Sequence, residues 1–118
     1  MDIHILDVGC GSMAILLNPD GSRFVIDCNI TEDNMDAVLE YTEGILGKGN
    51  SIDVFINTHR DADHMRGIAD LHYQHEIQEI WDTDVPGTST DTPEYKAYMR
   101  LRRSVKTMTI KPRKYYSS

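Results

Sequence analysis

The chain has 118 residues, 40% of them hydrophobic, which is one domain's worth and enough for a packed core. No apolar run approaches the ~20 residues that a membrane-crossing helix needs, so a membrane-spanning class is excluded. The net charge of −7 is unevenly spread, with 19 acidic and 4 basic residues up to Glu94, then 8 basic and no acidic residues from Tyr95 onward. The basic end either pairs with the acidic body, lies on a solvated helix face, or attracts a polyanion.

Cysteine usage and the N-terminal sequence predict a cytoplasmic protein. Cys10 and Cys28 are too few for a disulfide framework, and each ends an apolar run, so we expect reduced, half-buried thiols. No N-terminal stretch has the basic start and long apolar core of a secretory signal. The prediction holds unless a partner or a further segment carries an address.

The first third of the chain predicts an antiparallel meander of three strands. Residues Ile3–Val8 alternate well enough for a strand, and Met13–Leu17 follow the glycine-containing turn Gly9–Gly11. The segment Asn18–Gly21 is a strong turn signal, because proline fixes φ and glycine accepts positive φ. A third strand is then expected over Arg23–Asp27.

An amphipathic helix and a buried strand come next. The polar segment Thr31–Asn34 offers N-cap residues, and apolar residues recur every three or four positions over Met35–Leu46. Gly44, Gly47 and Gly49 are expected to loosen and end this helix. The segment Ile52–Ile56 is almost continuously apolar, which is typical of a strand covered on both faces.

The last third predicts two more helices and one more strand. A helix through Ile68 and Leu71 precedes a short strand over Ile77–Trp81. The third helix is expected to begin with Thr92 as N-cap and Pro93 at its first position. Strand character recurs at Thr107–Ile110, with no partner strand predicted, and residues 111–118 are expected to fray.

The most informative stretch lies directly after the buried strand, where His59, Asp61, Asp63 and His64 fall within six residues. Imidazole nitrogens and carboxylate oxygens are the usual ligands of catalytic divalent ions. Alternate residues of an extended loop can project to one side, which would bring the first three together. The competing interpretation is a polar loop that caps the next helix, with Asp63 as its N-cap.

A second histidine pair, His72 and His75, is spaced i, i+3 and could also suggest a metal site. The only carboxylates at ligand spacing are Glu76 and Glu79, and no cysteine lies at such a spacing. We therefore expect His72 and His75 to be solvated surface residues.

The cluster resembles the His-x-His-x-Asp-His signature of the metallo-β-lactamase fold. The opening Ile5–Leu16, the strand Phe24–Cys28 with its aspartate, and Ile80–Thr83 before a polar loop and a helix are similar to the same family in the same order. With Asp61 in place of the second histidine, the loop is closer to the His-x-Asp-x-Asp-His variant of ComEC-type DNA-uptake proteins and related hydrolases, which share the Leu-Asp-Val-Gly opening.

The resemblance implies an α/β (α+β) fold, namely half of a four-layer αββα sandwich with a mostly antiparallel or mixed sheet and helices on one face. Residues 1–118 would form a single, partial domain of this kind. The other sheet face, rich in Ile, Val and Leu, would need a cover, because exposed apolar area of that size favours a partner. Homodimerisation through that face, or poor solubility, is therefore predicted.

The resemblance also implies the chemistry. His59 and Asp61 would bind one metal and Asp63 and His64 a second, about 3.5–4 Å away, with an attacking hydroxide between them. Asp63 would also orient the attacking water and so count as catalytic. Zn²⁺ or Mn²⁺ is expected, since Asp61 adds a hard oxygen ligand.

Two further residues carry open alternatives. Asp27 is either an acceptor that orients a ligand histidine or a turn residue at the entry to the first helix. Arg66 stands where the family usually has glycine, and it would either contact a substrate phosphate or pair with an acid.

The later ligands of the family, two histidines and a bridging aspartate, have no counterpart after His64. The chain is therefore expected to be an N-terminal fragment, or a half-domain completed by a second half or by a homodimer partner, and the metals could be absent from it alone. The leading function is a metal-dependent hydrolase acting on phosphodiester bonds of nucleic acid or nucleotides. The alternatives are a non-catalytic binding or inhibitor protein that keeps half of the fold, and a metal-dependent structural module.

Overall fold

The computed structural model describes residues 1–7, 12–58, 65–83 and 91–110. In chain order the elements are β1 (Asp2–Asp7), β2 (Ser12–Leu17), β3 (Arg23–Ile26), β4 (Cys28–Asn29), α1 (Met35–Leu46), β5 (Val54–Ile56), α2 (Ile68–Gln74), β6 (Glu79–Thr83), α3 (Pro93–Ser104) and β7 (Lys106–Ile110).

Six strands form one mixed sheet in the order β1-β2-β3-β5-β6-β7. The first three are antiparallel, as predicted for a meander, and the tight turn between β2 and β3 is closed by a 2.9 Å hydrogen bond from the Gly21 N–H to the Asn18 carbonyl. From β3 to β7 the neighbours run parallel. The carboxyl ends of β3, β5, β6 and β7 therefore meet at one edge of the sheet.

One face of the sheet is the core. The register places Ile15, Val25, Phe55 and Ile80 side by side across four strands, and each of the four is fully buried. The helices cover this row with apolar residues spaced three or eight apart, both of which return to the same side of a helix. These buried helix residues are Val38 and Leu46 of α1, Ile68 and Leu71 of α2, and Tyr98 and Leu101 of α3.

The opposite face is also apolar, but no described helix packs on it. One register row crosses all six strands through Ile5, Ala14, Ile26, Ile56, Trp81 and Met108. None of these six belongs to the buried core cluster, and Ile5 and Met108 are 72% and 43% exposed. The prediction of a sheet with helices on one face is thus confirmed for the described residues, and we call this surface the open face.

Several predicted boundaries are confirmed. The Thr92 hydroxyl caps α3 by accepting a 3.1 Å hydrogen bond from the Tyr95 N–H, with Pro93 in the first turn. Helix α1 ends at Gly47, whose φ of 92° places it in the left-handed region that glycine tolerates best. Residues Thr107–Ile110, for which no partner was predicted, belong to β7, whose five residues pair with the five residues of β6.

The expectation that both extra histidines are solvated is wrong for His75. Its side chain is fully buried, with Nδ1 2.7 Å from the Asn50 carbonyl and Nε2 3.0 Å from the Gln74 amide. His72 is half-buried, and its Nδ1 accepts a 3.0 Å hydrogen bond from the Ile77 N–H. Both rings therefore have structural roles: His72 accepts from the segment between α2 and β6, and His75 contacts the segment between α1 and β5.

In the described part of the chain, none of the helices has the length and apolar character to cross a membrane.

Candidate metal centre

The predicted ligands follow β5 at the carboxyl edge of the parallel strands, where open α/β sheets usually place their ligand sites. His59, Asp61, Asp63 and His64 lie outside the described residues. What the structure describes is how this six-residue loop is held at its two ends. Among the described residues, no group of three or more His, Cys, Asp or Glu side chains could hold a metal ion.

Asp27 holds the entrance of the loop. Its Oδ1 accepts a 2.8 Å hydrogen bond from the Thr58 N–H, and its Oδ2 accepts a 2.6 Å hydrogen bond from the Thr58 hydroxyl. Its own N–H donates to the Ile56 carbonyl at 2.8 Å, so β3 and β5 remain joined up to the point where the loop begins. Asp27 is 7% exposed and has a φ of 58°, a conformation in which Asp is among the better tolerated residues.

The exit of the loop is held by the short strand β4. Met65 is fully buried and bridges Cys28, while Arg66 bridges Asn29 and accepts a 2.8 Å hydrogen bond from the Ile30 N–H. The chain then turns at Gly67, where an added Cβ would lie 2.4 Å from the Ile30 Cβ. Both ends of the loop are therefore fixed to consecutive residues of one segment, Asp27–Ile30.

Cys28 is a buried thiol between these anchors. It is fully buried, where a half-buried thiol was expected, and its Sγ donates to the Arg66 carbonyl at 3.4 Å. Burial, with a smaller contribution from the charge of Asp27, raises the pKa of the thiol well above its ordinary value. Cys28 therefore belongs to the packed core between the two anchors, and its thiol is satisfied by a backbone carbonyl.

Arg66 pairs with an acid. Its Nε lies 3.5 Å from Oε1 of Glu94 in the first turn of α3, with side-chain exposures of 40% for Arg66 and 27% for Glu94. Within the described residues, Arg66 Nε and Glu94 Oε2 are buried atoms without a hydrogen-bond partner. The two charges thus attract each other without the bidentate geometry of a strong arginine–carboxylate pair.

Sequence reasoning missed a buried polar cluster at the end of β6. The Asp82 carboxylate accepts hydrogen bonds of 2.6 Å from the Tyr98 hydroxyl and 2.7 Å from Arg102 Nε, and one of 3.3 Å from the Thr109 hydroxyl. The hydrogen bond to Asp82 raises the pKa of Arg102 above its ordinary value. The available signal was the strand period, which places Asp82 on the same face as buried Ile80.

Three ion pairs show where part of the basic C-terminal segment lies. Arg102, Lys96 and Lys106 pair with Asp82, Asp91 and Glu79 at 2.7, 3.1 and 3.8 Å, respectively. These three basic residues of the described part therefore pair with the acidic body, as one of the three alternatives predicted.

Comparison with known families agrees with this architecture. The sequence model of the metallo-beta-lactamase superfamily matches residues 7–115, which is most of the chain. The chain belongs to the metallo-beta-lactamase superfamily. No curated protein matches the sequence. Membership places the chain in a family of metal-dependent hydrolases whose members generally bind divalent metals such as Zn²⁺.

The described surroundings of the metallo-beta-lactamase motif fit a divalent metal. The donor set is nitrogen and carboxylate oxygen, which suits Zn²⁺ and Mn²⁺. The loop that carries it is bound at its entrance by both oxygens of a buried carboxylate and at its exit by two strand bridges. The described residues that flank the predicted ligands are thus fixed by the fold.

Proposed function

We propose that this chain is a metal-dependent phosphodiesterase unit of the metallo-beta-lactamase superfamily, with residues 1–118 forming one partial domain. The observation that carries the proposal is the anchoring of Thr58 and of Met65–Arg66, the described residues that flank 59–64, at the carboxyl edge of the parallel strands. A loop that only capped the next helix would need one such acid, whereas this loop offers four potential ligands.

The four motif residues divide the work between two metals. His59 and Asp61 would hold one ion, and Asp63 and His64 would hold the other. When bound, Zn²⁺ or Mn²⁺ would supply Lewis-acid activation of a phosphodiester and of water. Asp63 would also accept a proton from the attacking water and orient the lone pair of the water oxygen toward phosphorus. Asp27 would keep the loop entrance in place through Thr58.

Three features support a phosphodiester of nucleic acid or a nucleotide as the substrate. Asp61 gives the motif its ComEC-like His-x-Asp-x-Asp-His form, and the ComEC-type proteins act in DNA uptake. A second carboxylate also favours harder ions such as Mn²⁺, which are common in phosphoryl chemistry. Arg66, directly after the loop, offers a positive charge for a phosphate oxygen, next to its partner Glu94.

The proposal includes a partner on the open face. Its apolar row crosses all six strands, and Phe24 and Trp81 stack edge to face across β5, with ring centroids 5.4 Å apart. A second copy of the chain, or a separate second half of the fold, would bury this surface and bring further metal ligands. Isologous pairing of one patch with itself is the commonest way to build a dimer.

The proposal is tested by hydrolysis of bis(p-nitrophenyl) phosphate in the presence of Mn²⁺ or Zn²⁺. Turnover should be lost in His59→Ala and kept in His4→Ala. His4 is a suitable control because it lies on edge strand β1, which is three positions away in the sheet from β5, the strand that precedes the predicted ligands. Absence of turnover in the wild-type protein, with metal bound, would contradict the proposal. A wild-type protein that binds no metal would favour the non-catalytic binding protein instead.

A further inference from the structure

The edge strand β1 is a regular strand whose outer side has no partner among the described strands. It stands at one end of the six-strand sheet, and on its inner side it pairs with β2 over six consecutive positions without a bulge. Its sequence contains no lysine and no proline, the residues that usually prevent an edge from accepting a further strand. Alternate N–H and C=O groups of β1 therefore point away from the sheet and are available to another chain.

A groove lies beside this edge, on the side of the sheet that the helices cover. His4 is on that side, because it pairs with Ile15 of the buried core row, and opposite residues of an antiparallel pair point to the same face. The groove has a volume of about 440 Å³, and it is lined by His4 and by five residues from one side of α1, namely Ala37, Glu40, Tyr41, Gly44 and Ile45. A strand added to β1 would direct every second side chain toward this groove.

Gly44 widens the groove at a position where the fold does not require glycine. It lies in the interior of α1, where glycine destabilises a helix relative to alanine. A Cβ added at Gly44 would meet no atom within 4 Å, and its φ is not positive, so neither a close approach nor backbone strain accounts for it. The missing side chain leaves room next to Tyr41 and Ile45 for a side chain from another molecule.

The charges around the groove favour a basic partner. Strand β1 and helix α1 contain no lysine or arginine but five acidic residues, namely Asp2, Asp7, Asp36, Glu40 and Glu43. Within the described part of the chain, Glu40 takes part in no ion pair, although it lines the groove. A second copy of the chain would bring its own acidic β1 to this edge, and the like charges would repel. The aliphatic stem of a lysine or arginine can instead pack on Tyr41 while its charged end reaches Glu40.

We propose that β1 and α1 form a docking site for an extended segment of a partner protein, in which lysine or arginine alternates with β-branched apolar residues. The backbone of this segment would extend the sheet beyond β1 by strand addition. Its basic side chains would lie in the groove, and its apolar side chains would lie beside Ile3 and Ile5, which are 59% and 72% exposed on the open face. The site is built from β1 and α1 alone and is independent of the proposed hydrolase function.

The test uses two short peptides with blocked ends, one of alternating valine and arginine and one of alternating valine and glutamate. Each is titrated into the wild-type chain and followed by NMR. We expect the basic peptide to bind about tenfold more tightly, and its binding should slow hydrogen exchange of the alternate β1 amides that β2 leaves free. A basic peptide that does not bind, or that binds without protecting β1, would overturn the proposal. Protection of the same amides in the chain without peptide would also overturn it, because a second copy would then occupy the edge.

Two variants test the groove itself. Gly44→Leu should weaken binding of the basic peptide about tenfold by filling the groove, and it should raise the melting temperature, because leucine is the better helix former. Lost binding would then not be due to misfolding. Glu40→Gln should weaken binding about threefold by removing one charge. The matched controls are Ala69→Leu and Asp70→Asn, at exposed positions of α2, which should leave the affinity unchanged. Equal affinities of the groove variants and their controls would contradict the proposal.

Discussion

Asp27 is the residue on which the start of the metal loop depends. Its carboxylate accepts two hydrogen bonds from Thr58, one from the backbone and one from the hydroxyl, immediately before the first predicted ligand. Mutation of residues that support metal ligands through hydrogen bonds typically changes metal affinity about 10- to 100-fold. Asp27 thus has the positive φ of a turn residue and orients Thr58. Its other predicted role, orienting a ligand histidine, stays a prediction.

Asp27→Asn should weaken Mn²⁺ or Zn²⁺ binding about tenfold, because an amide can accept only one of the two hydrogen bonds while still tolerating the positive φ. Asp20→Asn is the matched control, since Asp20 also accepts from the backbone and the hydroxyl of one residue, Ser22, in an exposed turn. Isothermal titration calorimetry measures both. Equal affinities for the two variants would contradict the role of Asp27.

Gly67 closes the exit of the loop and leaves no room for a side chain. Its φ is 81°, and an added Cβ would lie 2.8 Å from the Ile30 carbonyl oxygen as well as against the Ile30 side chain. Gly67→Ala should lower the free energy of unfolding by about 3 kcal/mol, through backbone strain and overpacking. Gly49→Ala isolates the strain, because Gly49 has a φ of 75° and open space around it, and it should cost only about 1 kcal/mol. Urea denaturation giving the same loss for both would show that the contact with Ile30 is unimportant.

At the residue scale, what the sequence predicted least well is environment. The composition of residues 59–64 predicts a ligand set, because few other functions need so many metal-binding side chains together, and this stays a prediction. The burial of His75 could not be predicted, because its two hydrogen-bond partners include a carbonyl 25 residues away, at Asn50. A polar residue in a short loop is buried or solvated according to what packs on it, and local periodicity carries no information about that.

At the scale of elements, the Asp82 cluster joins β6, α3 and β7. Tyr98 and Arg102 reach Asp82 from α3, and Thr109 reaches it from β7. The Asp82 side chain is fully buried, and Arg102 is 22% exposed. Removing one member of a buried ion pair leaves the other charge without compensation, which is more costly than losing a pair in water.

Arg102→Met should lower the free energy of unfolding by about 3 kcal/mol, since Asp82 would remain buried with its main cation gone. Lys106→Met is the matched control. It removes the cation that pairs with Glu79, which lies on β6 like Asp82. The Lys106 side chain is 79% exposed, however, so this pair should contribute less than about 1 kcal/mol. Chemical denaturation of both variants gives the comparison, and similar losses would show that the cluster is not a principal tether of α3.

The cluster also explains why β7 was only half predicted. Its strand character is visible in Thr107–Ile110, but its partner is set by the crossover through α3 and by the contacts of Asp82 and Thr109. By contrast, the start of α3 was predicted from Thr92 and Pro93, because capping is a local interaction within four residues. Elements whose signals are local could be read from the sequence, and those that depend on distant partners could not.

At the scale of the whole molecule, the open face is the main apolar surface that no described element covers. Ile3 and Ile5 on the edge strand are 59% and 72% exposed, and the apolar row continues to Met108. The resemblance to half of an αββα sandwich predicted this surface, because a sheet with helices on one face leaves its other apolar face without a cover. The identity of the second cover depends on another chain or segment, about which the strand pattern contains no information.

The chain should therefore self-associate through the open face. Light scattering and sedimentation of the purified chain should give the mass of a dimer, and Ile5→Lys should shift it toward the monomer by placing a charge in the apolar interface. Tyr73→Lys is the control, because Tyr73 is 94% exposed on α2, within the helix layer that covers the other face. A wild-type chain that stays monomeric at high concentration would contradict the prediction.

The most direct test of the account is the metal content of the wild-type protein and of a His59→Ala/Asp63→Ala double variant, measured by elemental analysis together with native mass. The account predicts near-stoichiometric Zn or Mn in the wild type and its loss in the variant, with the fold unchanged by circular dichroism. Equal metal content in the two proteins, or none in either after incubation with Zn²⁺ and Mn²⁺, would contradict the assignment of residues 59–64 as the metal-binding loop.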